Sequence, residues 1–406
     1  MANSNLSAAK KAKQDEFYTQ YPDIQKEVNA YTEYDEDTFR GKTVLLPCDD
    51  PEWSNFTKYF AQNFERLGLK KLISTSYARN SKKTRYGITS EPSLFETESE
   101  IYDEDKSRDN GRLFVLERKD VTGDGRVDYD DLTWDYLEGD GDFRSDEVKK
   151  LRDEADIIVT NPPFSMFREF IAWILEADKK FLVIGNMNAI TYKEIFPLIK
   201  YNKVWLGATG FTTDMVFAVP EGAEVAESDR AKAAKLGYVG NYTRLGNSCW
   251  FTNIEHGRRH QPLTLMTMAE NLKFSRHKSI RGKEAYDHYD NYDAIEVPYT
   301  DAIPSDYDGI MGTPISFLDK YCPEQFEIVG LTAGREEFEE ISWPSKRYQN
   351  PIQVNKDGSL SNGSKANTRA TILIETPPID EIYYKADNAE QPFKIVYARI
   401  LIRKKQ

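Results

Sequence analysis

The sequence predicts an α/β protein: a doubly wound, mainly parallel sheet within residues 1–220, closed by one antiparallel strand, then a separate α+β region over residues 221–406. Three observations carry this. Short apolar runs alternate with helix-period segments from residue 43 to residue 219, the pattern of strands joined by crossover helices. One run, Asp156-Ile157-Ile158-Val159-Thr160, ends in a stiff Asn161-Pro162-Pro163-Phe164 loop. That loop opens a segment with Phe167, Phe170, Ile171, Ile174 and Leu175 at helical spacing. Beyond residue 220 the pattern turns mixed and aromatic, with short strand candidates at 249–253 and 371–375.

In chain order, residues 43–47 read as the first strand. The helix after it, starting near Ser54, lines up Phe56, Tyr59, Phe60, Phe64 and Leu67 on one side. Residues 71–77 read as the second strand. Residues 79–137 break the pattern as a polar, acidic insertion, in which positions 120–131 fit a calcium-loop template: oxygens at 1, 3, 5, 9 and 12 and glycine at 6. A β-turn rich in Asp and Gly explains the same letters. After the strand at 156–160 and its helix come a strand at 181–185, a helix near 191–201, a strand at 204–207, and a closing antiparallel strand near 215–219.

With 406 residues, 39% of them hydrophobic and 13% aromatic, the chain has room for two or three folded domains and is not a disordered protein. Its apolar runs are too short to cross a bilayer, and its polar start lacks the apolar stretch of a secretory signal. The expected location is cytoplasmic. Cys48, Cys249 and Cys322 are widely separated and odd in number, so no disulfide framework or zinc spacing is expected, and no metal is assigned. A net charge of −13 argues against a polyanionic partner until its distribution is considered. Residues 255–283 carry seven lysines and arginines against two glutamates. Arg258, Arg259, Lys273, Arg276, Lys278 and Arg281 are therefore candidates for phosphate contact, although charge runs are often only solvated faces.

Ligands of open α/β sheets bind outside the carboxyl ends of the strands, where the Asn161 loop falls. An aromatic amine such as adenine N6 is a poor nucleophile because its lone pair is delocalised into the ring. An Asn161 amide oxygen and a backbone carbonyl of the Pro162-Pro163 segment would accept both N–H groups and favour a pyramidal nitrogen. Proline fixes φ and cannot donate, so the carbonyls are held rigidly, and Phe164 offers a face for base stacking. The plain alternative is an asparagine before a diproline helix start. Asn-Pro-Pro-aromatic resembles the catalytic motif of amino-methyltransferases, a group that includes DNA adenine, ribosomal RNA guanine-N2 and protein-glutamine enzymes. The motif gives the reaction class and leaves the substrate open.

A methyl donor would lie along the ends of the first strands. The turn after the first strand, Pro47-Cys48-Asp49-Asp50-Pro51, has no glycine, so the usual nucleotide signature is missing. Asp49 or Asp50 can accept from a donor ammonium, or one of them caps the next helix. In Gly139-Asp140-Gly141-Asp142-Phe143-Arg144, Asp142 can bind an adenine amino group and Phe143 cover its ring. The same letters also describe a Gly-Asp turn with a core phenylalanine.

Taken together these segments resemble the EcoRI-type adenine-specific DNA methyltransferase family. The matching pieces are residues 15–20, 48–51 with Ser54-Asn55-Phe56, 139–145, 159–165, 190–194, 205–207, 289–295, 311–315 and 323–327. The resemblance implies a Rossmann-like methyltransferase sheet and S-adenosyl-L-methionine as cofactor. It implies a donor pocket lined by Phe17, Tyr18, Thr19, Cys48, Asp49, Asp50, Pro51, Gly141, Asp142, Phe143 and Asn161, with Asn161 to Phe164 holding the target adenine. It further implies a catalytic domain over residues 1–220 and a target-recognition domain over 221–406. Double-stranded DNA is the expected partner, with no membrane and a monomeric enzyme, which belongs either to a restriction-modification system with a cognate restriction endonuclease acting on the same site or to a solitary modification system. A catalytically silent DNA-binding module is the non-enzyme alternative. The insertion at 79–137 and the segment at 335–395 depart from the family, and Ser74-Thr75-Ser76 lacks the acid that commonly binds ribose.

Overall fold

The computed structural model describes residues 18–47, 49–52, 54–78, 92, 94–211, 215–219, 225–244, 246–332, 346–367, 372–374 and 381–405. By its contacts the chain divides into two compact units, Met1–Ala189 with Val204–Gly257, and Ile190–Lys203 with Arg258–Gln406.

The strands of the first unit are β1 (Tyr18–Thr19), β2 (Thr43–Leu46), β3 (Lys71–Ser76), β4 (Arg112–Glu117), β5 (Thr133–Tyr136), β6 (Ile157–Thr160), β7 (Lys180–Asn186), β8 (Trp205–Leu206), β9 (Val216–Ala218), β10 (Tyr242–Arg244) and β11 (Ser248–Thr252). Eight of them form one sheet in the order β5-β4-β3-β2-β6-β7-β11-β8. Its centre is parallel, with β2 beside both β3 and β6 and β7 beside β6. β2 and β6 are buried along their whole length, as strands covered on both faces must be.

Two expectations need correction. The sheet is mixed, not mainly parallel, because β3–β4, β4–β5, β7–β11 and β11–β8 are all antiparallel. The polar insertion supplies the β4–β5 hairpin, whose Arg112-Leu-Phe-Val-Leu-Glu117 alternates buried with part-exposed positions amid acidic neighbours. The closing strand is also different. Val216–Ala218 pairs with β1 and β10 in a small separate sheet, and the reversed strand of the large sheet is Ser248–Thr252. The first unit therefore continues past residue 220.

Helices α1 (Tyr21–Tyr34), α2 (Asn55–Gln62), α3 (Asp146–Glu154) and α4 (Phe167–Glu176) flank these strands in sequence. Ser54 caps α2, its hydroxyl accepting from Phe56 N, and the Phe56, Tyr59 and Phe60 side of that helix is buried in the main core cluster. Phe167, Phe170, Ile171, Trp173 and Ile174 are the buried face of α4. In the insertion, Asp120 accepts from the amides of Gly123 and Gly125, and Asp131 from those of Val121, Thr122 and Asp128. Backbone amides thus hold the two end carboxylates of the calcium-loop template in a hydrogen-bonded turn. Among the described residues, no cluster of three or more potential metal ligands is gathered, and no helix is long and apolar enough to cross a membrane.

The second unit holds β12 (Ile295–Glu296), β13 (Met311–Pro314), β14 (Phe326–Leu331), β15 (Ile352–Val354), β16 (Leu360–Asn362), β17 (Ile372–Ile374), β18 (Tyr383–Lys385), β19 (Phe393–Ile395) and β20 (Arg399–Lys404). They form two sheets, β12-β13-β20-β14 and β16-β15-β18-β19-β17. The second is antiparallel throughout and built over Tyr348, Ala366, Tyr384 and Phe393.

Candidate active site

β2 has β3 on one side and β6 on the other, so the chain reverses its direction of winding between β2 and β6. At such a switch point the loops leaving two adjacent parallel strands diverge and open a crevice. Asn161 leaves β6 at this edge and the Asp49–Asp50 turn leaves β2. Asn161 is half-buried, Pro162 and Pro163 are buried, and Phe164 is half-buried against the core. Pro163, at φ −53°, accepts from Met166 N at 2.9 Å and closes a 3-10 turn that precedes α4. Of the two proline carbonyls, Pro162's is the one not engaged in that turn.

Asp49 is 7% exposed and hydrogen-bonded by two hydroxyls, Ser54 Oγ at 2.8 Å and Thr160 Oγ1 at 2.5 Å. Burial pushes its carboxyl up to about 7; the bonds from Thr160 and Ser54 oppose that shift and the charge of Asp50 adds to it. Thr160 is the last residue of β6, directly before Asn161. Asp50 is held differently, by Arg112 Nη2 at 2.6 Å. Arg112 also reaches Glu52 at 3.3 Å and Glu96 at 3.4 Å, and Glu96 accepts from Tyr136 OH at 3.0 Å. Burial disfavours the guanidinium charge, but the three carboxylates outweigh it and hold the group above its ordinary value. The helix cap proposed for one of the aspartates falls instead to Ser54.

Two buried hydroxyls near these loops, Thr19 Oγ1 and Ser76 Oγ, have no hydrogen-bond partner among the described residues. Thr19 is brought to the start of α2 by Asn55 Nδ2, which donates to its carbonyl at 2.7 Å; Tyr18 is half-buried beside it and Pro51 is buried. Gly141 lies so close to the end of β3 that an added Cβ would sit 2.3 Å from the Ser76 carbonyl oxygen, and its φ is +84°. Gly141→Ala is therefore expected to destabilise the chain by about 1–3 kcal/mol, read as a lower Tm. Asp142 is engaged by Arg144, with Nη2–Oδ2 at 2.7 Å. Phe143 is 1% exposed, edge-on to Phe170 at 5.1 Å and to Trp173 at 5.5 Å, and so serves the core. Phe17 and Cys48 lie outside the described residues.

The basic stripe divides. Arg258 is bound to Asp319, Nη2–Oδ2 2.5 Å, and Arg259 is 6% exposed and donates to Asn202 at 2.9 Å, so both brace the second unit. Lys273, Arg276, Lys278 and Arg281 are exposed at and beyond α5 (Met268–Phe274), with Arg276 also pairing with Asp301 at 2.9 Å.

A switch-point loop of this composition fits amine methylation, and comparison with known proteins decides the family. The family model for the adenine-specific methyltransferase EcoRI matches residues 5–405. The chain belongs to that family. Its relatives there include the type II methyltransferase M.EcoRI of Escherichia coli, 42% identical over 82% of this chain and 91% of the relative. M.MgeORF184P of Mycoplasma genitalium is 33% identical, and M.MpnI of Mycoplasma pneumoniae 32% identical, each over 81% of this chain and 86% of the relative. No solved structure matches the chain. As a member of the EcoRI-type family, the chain is an adenine-specific DNA methyltransferase.

Several residues of the site were not singled out from sequence. Thr160 reads only as a strand residue, and Ser54 only as part of a matching segment. Arg112, Glu52 and Glu96 carry no motif, since Arg112 meets Asp50 across 62 positions of chain.

Proposed function

We propose that this methyltransferase transfers a methyl group from S-adenosyl-L-methionine to N6 of an adenine extruded from duplex DNA, and that it protects one DNA site as the modification partner of a restriction system. The observation that carries the reading is the Asn161-Pro162-Pro163-Phe164 loop at the carboxyl end of β6, adjoining the loop of buried carboxylates that follows β2. The first unit is read as a Rossmann-like methyltransferase domain and the second as the target-recognition region. Residues near the switch point fit the donor: the unpartnered hydroxyls of Thr19 and Ser76 supply buried polar contacts, and Tyr18, Asp49, Asp50, Pro51, Gly141 and Asp142 complete a polar cradle. When bound, S-adenosyl-L-methionine supplies an electrophilic methyl group.

The chain's own part is orientation. Asn161 Oδ1 and the Pro162 carbonyl accept the two N6–H groups and turn the nitrogen lone pair outward. No strong base is needed, because the amine proton becomes acidic once the nitrogen is alkylated. Stacking on Phe164, worth about 1–3 kcal/mol, offsets part of the cost of extruding the base. Incubation with methyl-labelled S-adenosyl-L-methionine and, in parallel, duplex DNA, ribosomal RNA and protein should label DNA, with N6-methyladenine recovered on digestion. Label confined to RNA or protein would refute the reading.

The exposed cations should act through phosphate. Lys278→Ala and Arg281→Ala are expected to weaken DNA binding evenly across sequences, each lowering the slope of log affinity against log salt by about 1. Arg258→Ala should instead lower Tm, because it frees the buried Asp319.

A further inference from the structure

Thr160 Oγ1 has one proton and faces two acceptors, the Pro47 carbonyl at 3.0 Å and Asp49 Oδ2 at 2.5 Å. An ionised Asp49 would need that proton, leaving the Pro47 oxygen against a lone pair. A protonated Asp49 resolves the conflict: Oδ2–H donates to Thr160, Thr160 donates to Pro47, and Oδ1 accepts from Ser54 at 2.8 Å. Ser54 is consistent with this, since its oxygen also accepts from Phe56 N at 3.1 Å and its single proton is given to Asp49. The charged neighbour acting on Asp49 is Asp50, which is itself paired with Arg112. The side chains bonded to Asp49 from α2 and β6 are hydroxyls, and Thr57 of α2 and Ser74 of β3 bond only its carbonyl. Asp49 is thus the carboxyl of the turn left to answer a cation.

We infer that Asp49 holds a proton in the cofactor-free enzyme, as the head of a chain Asp49–Thr160–Pro47, and releases it to solvent when the cationic methyl donor binds. Asp49 is then a positioning residue. Its ionisation turns the Thr160 hydroxyl from Pro47 to Asp49, at the residue that carries Asn161, and so links occupation of the donor site to the set of the catalytic loop. The inference rests on S-adenosyl-L-methionine being the donor.

The raised carboxyl value agrees with this placement of the proton. Between the ordinary value of 3.8 and about 7 the native chain binds more protons at Asp49 than the unfolded chain does. Its contribution to stability is full below that window and is lost as pH rises through it.

Calorimetric titration of the full-length enzyme with S-adenosyl-L-methionine, in buffers of differing ionisation enthalpy at about pH 6.5 and again at about pH 8.5, tests the coupling. A sizeable fraction of one proton should be released per site at the lower pH and almost none at the higher, where Asp49 is already ionised. Asp49→Asn should bind without release at either pH, and Thr160→Val should move the pH at which release ends while Thr160→Ser restores it. Binding of the native enzyme with no buffer dependence at the lower pH overturns the inference, as does unchanged release in Asp49→Asn. Absence of any binding heat, confirmed by equilibrium dialysis, would instead count against the donor itself.

Discussion

Asn161→Ala should lower the methylation rate roughly 100- to 1,000-fold while DNA binding stays within a few-fold of normal. The asymmetry follows from what the side chain touches. Asn161 is half-buried at the end of β6, held by a buried strand behind it and two buried prolines ahead, so its removal leaves the loop backbone in place. On the proposed roles, what is lost is one of two acceptors for the amine hydrogens. The Pro162 carbonyl alone can hold one N–H but cannot turn the lone pair. Asn161→Asp keeps an acceptor oxygen and should retain more activity than Asn161→Ala. Single-turnover methylation beside fluorescence anisotropy of labelled duplex separates the two effects. A near-normal rate for Asn161→Ala would remove the amide from the mechanism.

The parts of this protein set by local pattern were legible in its sequence. β2, β6 and β7 are built on continuous apolar runs, β3 is a short Leu-Ile pair followed by buried hydroxyl residues, and the faces of α2 and α4 repeat at helical spacing, so the parallel centre of the sheet and the position of the Asn161 loop are legible from local pattern. Pairings made over long stretches of chain were not legible. Nothing local in Ser248–Thr252 says that it inserts between β7 and β8, and Val216–Ala218 is also apolar, so local pattern points to the wrong segment for the reversed strand. The candidate site divides in the same way. Asp49, Asp50 and Asn161 stand in recognisable segments, whereas the contacts that set their chemistry come from Thr160, 111 positions from Asp49, and Arg112, 62 from Asp50. Phe143 shows the reverse case, since an aromatic in a ligand-like segment turned out to pack edge-on against Phe170 and Trp173.

Arg112→Met should be the most destabilising single change near the site, costing about 3–5 kcal/mol. Arg112 is 8% exposed and stands between three carboxylates, Asp50 at 7%, Glu96 at 3% and the part-buried Glu52. Removing it strands negative charges where water cannot solvate them, and the methionine fills its volume without supplying a donor. The loss should show as a lower urea midpoint at unchanged slope. Arg112→Lys should recover little, because one ammonium cannot copy a planar fork that serves Asp50 through Nη2 and Glu96 through Nη1. Adding Asp50→Asn to Arg112→Met removes one stranded charge and should recover part of the stability, a non-additive result that marks direct coupling. Strict additivity of the two changes would mean that the network is not held together by Arg112. The same pair reads on the donor site, since Asp50 and Asp49 share one turn. With Arg112 gone, the Asp50 charge falls more fully on Asp49, raises its carboxyl further, and should shift proton release on cofactor binding to higher pH.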